Sequence, residues 1–355
     1  MTLTPVSDDT KKQLAKLLWH RNTVRCLYEK GFTKVAYEFR NCGCTVRVKV
    51  CKSHLDHEPK AFPLHCGNRF CEECERRESY RKLSSYLPAL QSLLTPNPDH
   101  PEHFLFKLVL TSPYGLSSLD AASFKEKQKS VKRFLETYFY RYYEKRGELT
   151  QSEIRRGRCD LKRHGIGGLR SAEFGETNKH LHWHILIYAP YMPHSEILTV
   201  WRDVTGDVCK FARVNGIYAK GDGKLNDGGD ILGAVKEIVK YTTKFTVLKP
   251  SDVPHLHEVL KGNRRFEAFG ILYGIERPDS EETSSTCEEC GAEHEILTIG
   301  EYINRCEIRH IAPSDDIADA VENGIALFLS REPEISSGKS SASPHKPRDS
   351  IDSET

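Results

Sequence analysis

Three histidines occupy alternate positions in the run His180-Leu-His182-Trp-His184-Ile-Leu-Ile-Tyr188. Side chains alternate faces along an extended strand, so His180, His182 and His184 would project to one side and Leu181, Trp183 and Ile185 to the other. Residues two apart rise about 6.6 Å along a strand, and imidazoles at that spacing can converge on one cation at ~2.1 Å. The polar stretch 175–179 reads as a hairpin turn, which sets Glu173 opposite Leu181 or His182. A metal centre of His182, His184 and Glu173, with His180 as an additional candidate, leaves coordination positions open for phosphate oxygens. Surface histidines on an edge strand would give the same spelling. The third alternating histidine, the apolar continuation and the carboxylate across a short turn favour the metal.

A second constellation lies in Val235-Lys-Glu237-Ile-Val-Lys240-Tyr241-Thr-Thr-Lys244. Read as a helix, it places Glu237, Tyr241 and Lys244 on one face. A phenol with a pKa near 10 is a poor nucleophile at neutral pH. A cation on the phosphate under attack and an ammonium beside it, a role suited to Lys244, would offset that deficit. Glu237 could act as general base for a water. An amphipathic helix with an exposed tyrosine carries the same letters, so this reading leans on the histidine strand upstream. Other metal hydrolases use His-x-His too, but those of the β-lactamase-like type continue into Asp-His, where this chain has Ile185, Leu186 and Ile187.

The chain holds 12 cysteines, six of them between Cys42 and Cys74 and three between Cys287 and Cys306. Clustered cysteines in a chain without an apolar leader read as metal sites rather than disulfides. Cys66, Cys71 and Cys74 have the spacing of a structural zinc site. Its fourth ligand is expected from Cys42 or Cys44, with Cys51, His54, His57 and His65 competing. Cys287, Cys290, Cys306 and His310 suggest a second zinc site. Arg76, Arg77, Arg81 and Lys82 follow the first cluster and could meet DNA phosphates.

The elements that would position these groups are legible in outline. Helices are expected near residues 1–30, 75–94, 124–145, 194–204 and 231–245. Strands are expected at Phe104–Thr111, ended by Ser112-Pro113, and at 168–174, 180–188 and 210–218, with a glycine-rich loop at 221–229. This is an α+β pattern with an antiparallel sheet and flanking helices. Four regions follow: 1–95, a helix and a cysteine-rich zinc- and DNA-binding segment; 100–250, carrying the histidine and tyrosine features; 251–312, with the second cysteine cluster; and 313–355, a tail expected to be disordered. Lys plus Arg number 52 against 50 Asp plus Glu in 355 residues. Net charge thus neither demands nor excludes a nucleic-acid partner. No stretch has the roughly 20 apolar residues a membrane span needs, and Met1–Lys16 is too polar for a secretory signal, so a cytoplasmic location is expected.

The order of these features, a strand ending in Thr111, the His182-x-His184 strand and then Tyr241-x-x-Lys244, resembles the HUH endonucleases. More narrowly, it resembles the rolling-circle plasmid replication initiators with a single catalytic tyrosine. The resemblance spans roughly residues 40–250 and includes the segment Cys66-Gly-Asn-Arg69-Phe-Cys71-Glu-Glu-Cys74-Glu-Arg76-Arg77. It implies a sheet with the histidine strand at its centre and Mg²⁺ or Mn²⁺ as the working ion. It also implies attack by Tyr241 on origin or single-stranded DNA to give a 5′-phosphotyrosine, with Glu237 acting at termination. No helicase region follows the tyrosine segment, so a host helicase and polymerase would be partners. A single-strand transposase of the same chemistry and a non-catalytic zinc-bearing DNA-binding regulator are the rival expectations.

Overall fold

The computed structural model describes residues 7–95, 97–175, 179–206, 212–216, 248–275, 286–309, 311, 312 and 314–330. Glu237, Tyr241, Lys244 and His310 lie outside the described residues. So do the expected 221–229 loop and 231–245 helix, and the chain beyond 330.

The chain opens with α1 (Asp8–Glu29) and α2 (Thr33–Arg40), then β1 (Val46–Cys51), β2 (Lys60–Pro63) and α3 (Glu72–Ser92). There follow β3 (Phe104–Gly115), α4 (Ala121–Arg146), α5 (Gln151–Arg156), β4 (Gly167–Phe174), β5 (His180–Ala189), α6 (His194–Thr205) and β6 (Ala212–Gly216). The described remainder is α7 (Val253–Val259), β7 (Phe266–Gly270), β8 (His294–Thr298), α8 (Ile299–Arg309) and α9 (Asp315–Ser330). Five strands form an antiparallel sheet in the order β6-β3-β5-β4-β7, and three more form a second sheet in the order β2-β1-β8. The chain is therefore a mixed α+β protein of antiparallel sheets flanked by helices. No helix among the described residues is long and apolar enough to cross a membrane.

The histidine strand β5 is the middle strand of the larger sheet. Its odd positions Leu181, Trp183, Ile185 and Ile187 are fully buried in the main core, with Phe134 and Leu135 of α4 and Trp201 of α6. Two indole bonds fix this face: Trp183 Nε1 donates to Gln128 Oε1 at 3.0 Å and Trp201 Nε1 to the Thr111 carbonyl at 3.1 Å. On the opposite face, Tyr86 and Leu90 of α3 pack against Leu105, Leu169, Leu186 and Tyr188. That helix covers the Leu186–Tyr188 half of β5. The even-numbered histidines belong to the same face, toward the strand's beginning.

Three sequence expectations change. The strand expected to stop at Ser112-Pro113 continues to Gly115, through a register irregularity between Thr111 and Gly115. A bulge is where a strand tolerates a proline, because the missing N–H is not needed in the ladder there. Residues 315–330, expected within a disordered tail, form α9. Ile317 and Gly324 fall on its inward face, and a Cβ on Gly324 would come within 2.6 Å of the Cys44 carbonyl oxygen. The 1–95 and 251–312 regions also join in one sheet, since β8 pairs with β1 from Arg47↔Thr298 to Cys51↔His294.

Gly270 closes the edge strand β7 at φ +60°, where a Cβ would stand 1.9 Å from the Ile166 carbonyl oxygen. Replacing it with alanine combines backbone strain with a contact that only main-chain movement relieves. Gly270→Ala is expected to lower unfolding stability by about 3 kcal/mol, read from urea unfolding midpoints. A loss below about 1 kcal/mol would mean that the β4–β7 junction adapts freely.

Candidate metal centre and its surroundings

Hairpin register, rather than sequence spacing, decides which carboxylate meets the histidines. The pairing of β4 with β5 sets Glu173 opposite His182 and Ser171 opposite His184, and β3 sets Thr111 opposite His182 from the other side. Directly paired residues share a face, so Thr111, Glu173, His182 and His184 form one patch. The alternation is visible in burial: Leu181 and Trp183 are sealed, whereas His180, His182 and His184 are half-buried.

Glu173 Oε2 lies 2.9 Å from His184 Nε2. Two adjacent ligands of an octahedral ion at ~2.1 Å stand about 3.0 Å apart, so this pair already has the length of one edge of such a sphere. His182 Nδ1 lies 2.9 Å from Thr111 Oγ1. A partner on one ring nitrogen is the usual way a ligating imidazole has its other nitrogen oriented. Burial, reinforced by the neighbouring His184 charge, pushes His182 below its ordinary value, leaving the ring neutral near pH 7. Neutral imidazole is the ligating form. The three residues are not yet closed into one sphere: their ligand atoms are not all within 4.8 Å of one another, as those of the cysteine groups are. The donor set fits a divalent ion, and His182 must turn to join the Glu173–His184 edge. His180, paired with Gly115, sits at the strand's entrance.

Arg265, which sequence reasoning did not single out, approaches this patch from the start of β7. Its Nε donates to the Ala172 carbonyl at 3.3 Å. Burial lowers it to about 10, while Glu75 and Glu173 support its charge, so it stays cationic beside the carboxylate. No spacing signal marked it, because only the pairing of β7 with β4 brings it there. Arg69 anchors the same loop, donating to the carbonyls of Leu260 at 3.1 Å and Asn263 at 2.7 Å.

Arg69 belongs to the first cysteine cluster. Cys42, Cys66, Cys71 and Cys74 bring their sulfurs together, with Sγ···Sγ distances of 3.4 Å for Cys42–Cys74 and Cys71–Cys42 and 3.5 Å for Cys66–Cys74. Hydrogen bonds, first from Cys66, hold the Cys42 thiol below its ordinary range. This group can hold a metal ion such as zinc. Between the two expected candidates for the fourth position, the structure selects Cys42. Cys44 turns its sulfur to the carbonyls of Arg40 and Cys42.

The second cysteine cluster differs from expectation. Cys287 and Cys290 gather with Cys51 and His57, not with Cys306. Cys306 lies on the inward face of α8, fully buried with Val48, Val50 and Tyr302. Helical periodicity sends it into the core, while β1–β8 pairing brings Cys51 beside the Cys287 turn. A further group, Glu153, Cys159 and His164, is already knitted internally: Glu153 accepts from the Thr150 and Asp160 amides, Arg163 and His164.

The basic residues after Cys74 divide. Arg76 and Arg81 are exposed on α3 and pair with Glu73 and Glu78, one turn back. Lys82 points inward instead, its side chain 13% exposed beside Glu78 and over the Phe266 ring. It faces a groove rather than the outer surface of the helix. This groove, of about 1300 Å³ around the β7 edge, forms a larger cationic surface, lined by Lys82 with Arg69, Arg156, Arg158, Arg264 and Arg265 among others. Nine of its lining residues are Lys or Arg and five are Asp or Glu, a local excess in a chain that is balanced as a whole.

No known protein family matches this chain, and neither a curated protein nor a solved structure does.

Proposed function

We propose that the protein is a metal-dependent single-strand DNA nickase and strand transferase of the rolling-circle initiator type. The observation that carries this reading is the patch on the central strand. Glu173 and His184 sit 2.9 Å apart, with His182 beside them and its Nδ1 held by Thr111. A carboxylate and two imidazoles on a rigid sheet are the donor set for Mg²⁺ or Mn²⁺ with positions left for phosphate oxygens. Such an ion, when bound, withdraws negative charge from the phosphate under attack. Arg265 adds a fixed cation on the same side, and the cationic groove supplies a path for a sugar-phosphate backbone.

In the proposed reaction the Tyr241 hydroxyl oxygen forms a bond to phosphorus while the bond from phosphorus to the 3′ oxygen breaks. The phenolic proton leaves to solvent or to a nearby base, and the departing 3′ oxygen takes up a proton. Lys244 steadies the phenolate as it forms. The products are a 5′-phosphotyrosine and a free 3′ hydroxyl that can prime synthesis by host enzymes. A later attack on the phosphotyrosine, either by a 3′ hydroxyl or by a water activated by Glu237, would release the strand.

Incubation with a pool of single-stranded oligonucleotides and Mn²⁺ is expected to yield a denaturant-resistant protein–DNA adduct that EDTA prevents. Removing one imidazole or the carboxylate, as in His182→Ala, His184→Ala or Glu173→Ala, is expected to slow adduct formation on the order of 10²–10³-fold. A pool of diverse sequences that gives no adduct would favour the zinc-bearing regulator. Adduct formation indifferent to all three substitutions would remove the metal centre from the reaction.

A further inference from the structure

We infer that Cys51, His57, Cys287 and Cys290 form a second zinc site, a Cys₃His clasp that binds the C-terminal segment to the N-terminal sheet. The inference is independent of the nicking reaction. Their ligand atoms all lie within 4.8 Å of one another. Cys51 Sγ is 3.5 Å from Cys290 Sγ, and His57 Nδ1 is 3.3 Å from Cys287 Sγ. Ligands around a tetrahedral zinc at ~2.3 Å for sulfur and ~2.1 Å for nitrogen stand roughly 3.5–3.8 Å apart, so the four atoms need only small outward shifts to surround one ion.

Proximity alone would not distinguish a zinc site from packed thiols. The backbone around Cys287 and Cys290 does so, because it is folded into a tight turn that brings both cysteines of the pair to the same point as Cys51 and His57. The Gly291 amide donates to the Cys287 carbonyl at 2.8 Å, the Cys287 amide donates to the Ala292 carbonyl at 2.7 Å, and Gly291 has φ +73°. This is the conformation a Cys-x-x-Cys-Gly turn requires and that glycine adopts without strain.

The site also lies where an ion is most needed. The small sheet β2-β1-β8 rests on a core of seven buried residues, namely Val48, Val50, Leu55, Leu297, Tyr302, Cys306 and Ile317. A core of that size stabilises little by itself, and small modules of this kind use metals as staples. Ion pairs across the same junction, such as Lys52–Glu293 at 2.5 Å and Lys60–Glu288 at 3.4 Å, are exposed and individually weak. Metal ligands therefore interleave along the chain. Cys42, Cys66, Cys71 and Cys74 serve one site, while Cys51 and His57 between them serve the other, together with partners more than 200 residues away.

Zinc content of the full chain purified under reducing conditions is expected to be two equivalents. Cys287→Ser/Cys290→Ser should retain one equivalent and gain protease sensitivity within 286–330. Cys306→Ser should retain both. To separate metal loss from general destabilisation by a serine pair, His57 supplies the second test: His57→Ala should lose one equivalent and His57→Cys, which puts a sulfur ligand in place of the imidazole, should keep it. Retention of all zinc by Cys287→Ser/Cys290→Ser would overturn the inference. So would loss of an equivalent in Cys306→Ser, or a Cys51–Cys290 disulfide detected as two missing thiols without zinc at this site.

Discussion

Tyr241→Phe is expected to abolish the covalent protein–DNA adduct, lowering its rate of formation by on the order of 10⁴ or more. The magnitude follows from the chemistry proposed for this residue. Without the phenolic oxygen no oxygen–phosphorus bond can form, whatever the ion or the neighbouring cations contribute, and deleting a nucleophile leaves only the background reaction. The substitution removes a single atom, so binding of single-stranded DNA should be unchanged, and that separates loss of chemistry from loss of binding. Glu237→Gln should behave differently, forming the adduct at the normal rate and losing it slowly, because a general base for water is needed only after cleavage. Both are read from time courses on denaturing gels, with mass spectrometry of the trapped peptide locating the attachment. An adduct that forms at the wild-type rate in Tyr241→Phe, or maps to another tyrosine, would sink the assignment. If Glu237→Gln instead blocks the first cleavage, its carboxylate acts on the nucleophile and not on a water.

The second large effect concerns the first cysteine cluster. Cys42, Cys71 and Cys74 belong to the main hydrophobic core, alongside Val24 and Leu27 of α1 and Ala36 and Phe39 of α2. Cys71 also stands at the N-terminus of α3. Four sulfurs within 4.8 Å of one another, three of their contacts at 3.4–3.5 Å, are stable around a divalent ion. Without it, thiolates repel one another, or must take up protons inside an apolar cluster. Structural zinc contributes about 10–16 kcal/mol of apparent binding free energy in small zinc-finger peptides. Even a fraction of that is large beside the whole stability of a domain. Cys66→Ser/Cys74→Ser, or stripping zinc from the native chain, is expected to lower the thermal midpoint by more than about 10 °C. The loss should reach the larger sheet, because Arg69 in the same segment holds the loop that carries Arg265 to Glu173. An unchanged midpoint after metal analysis has verified complete removal would show that the thiols pack adequately alone. Acidification should act in the same direction, since metal binding requires thiolates and releases their protons.

Much of the arrangement could be read from local pattern. Alternation along 180–188 specified a strand with one histidine face, the polar stretch after Phe174 specified a hairpin, and the counted turn already put Glu173 within one position of its partner. Each of these is a short-range property, since strand period and turn length are set by residues next to one another in the chain. The same holds for the helices around 124–145 and 194–204, whose apolar spacing reappears as the faces of α4 and α6 packed on β5. Cys66, Cys71 and Cys74 likewise share one site because a short loop and the first turn of a helix cannot separate them.

What the sequence left open was every partnership between distant segments. Cys42 and Cys44 are equivalent by spacing, and the chain's path between α2 and β1 chose the first. Cys306 and Cys51 are both cysteines near a Cys-x-x-Cys turn in their own way, one along the chain and one across a sheet. Helical phase buried the former, and β1–β8 pairing delivered the latter with His57. Lys82 was one basic residue among four until packing against Phe266 turned it inward, and Arg265 carried no signal until β7 laid it beside Glu173. Local periodicity thus determined the elements and the faces they present. Which faces meet depends on long-range burial and strand pairing, whose energies are summed over residues far apart in the chain and so leave no mark on the spacing of any one segment.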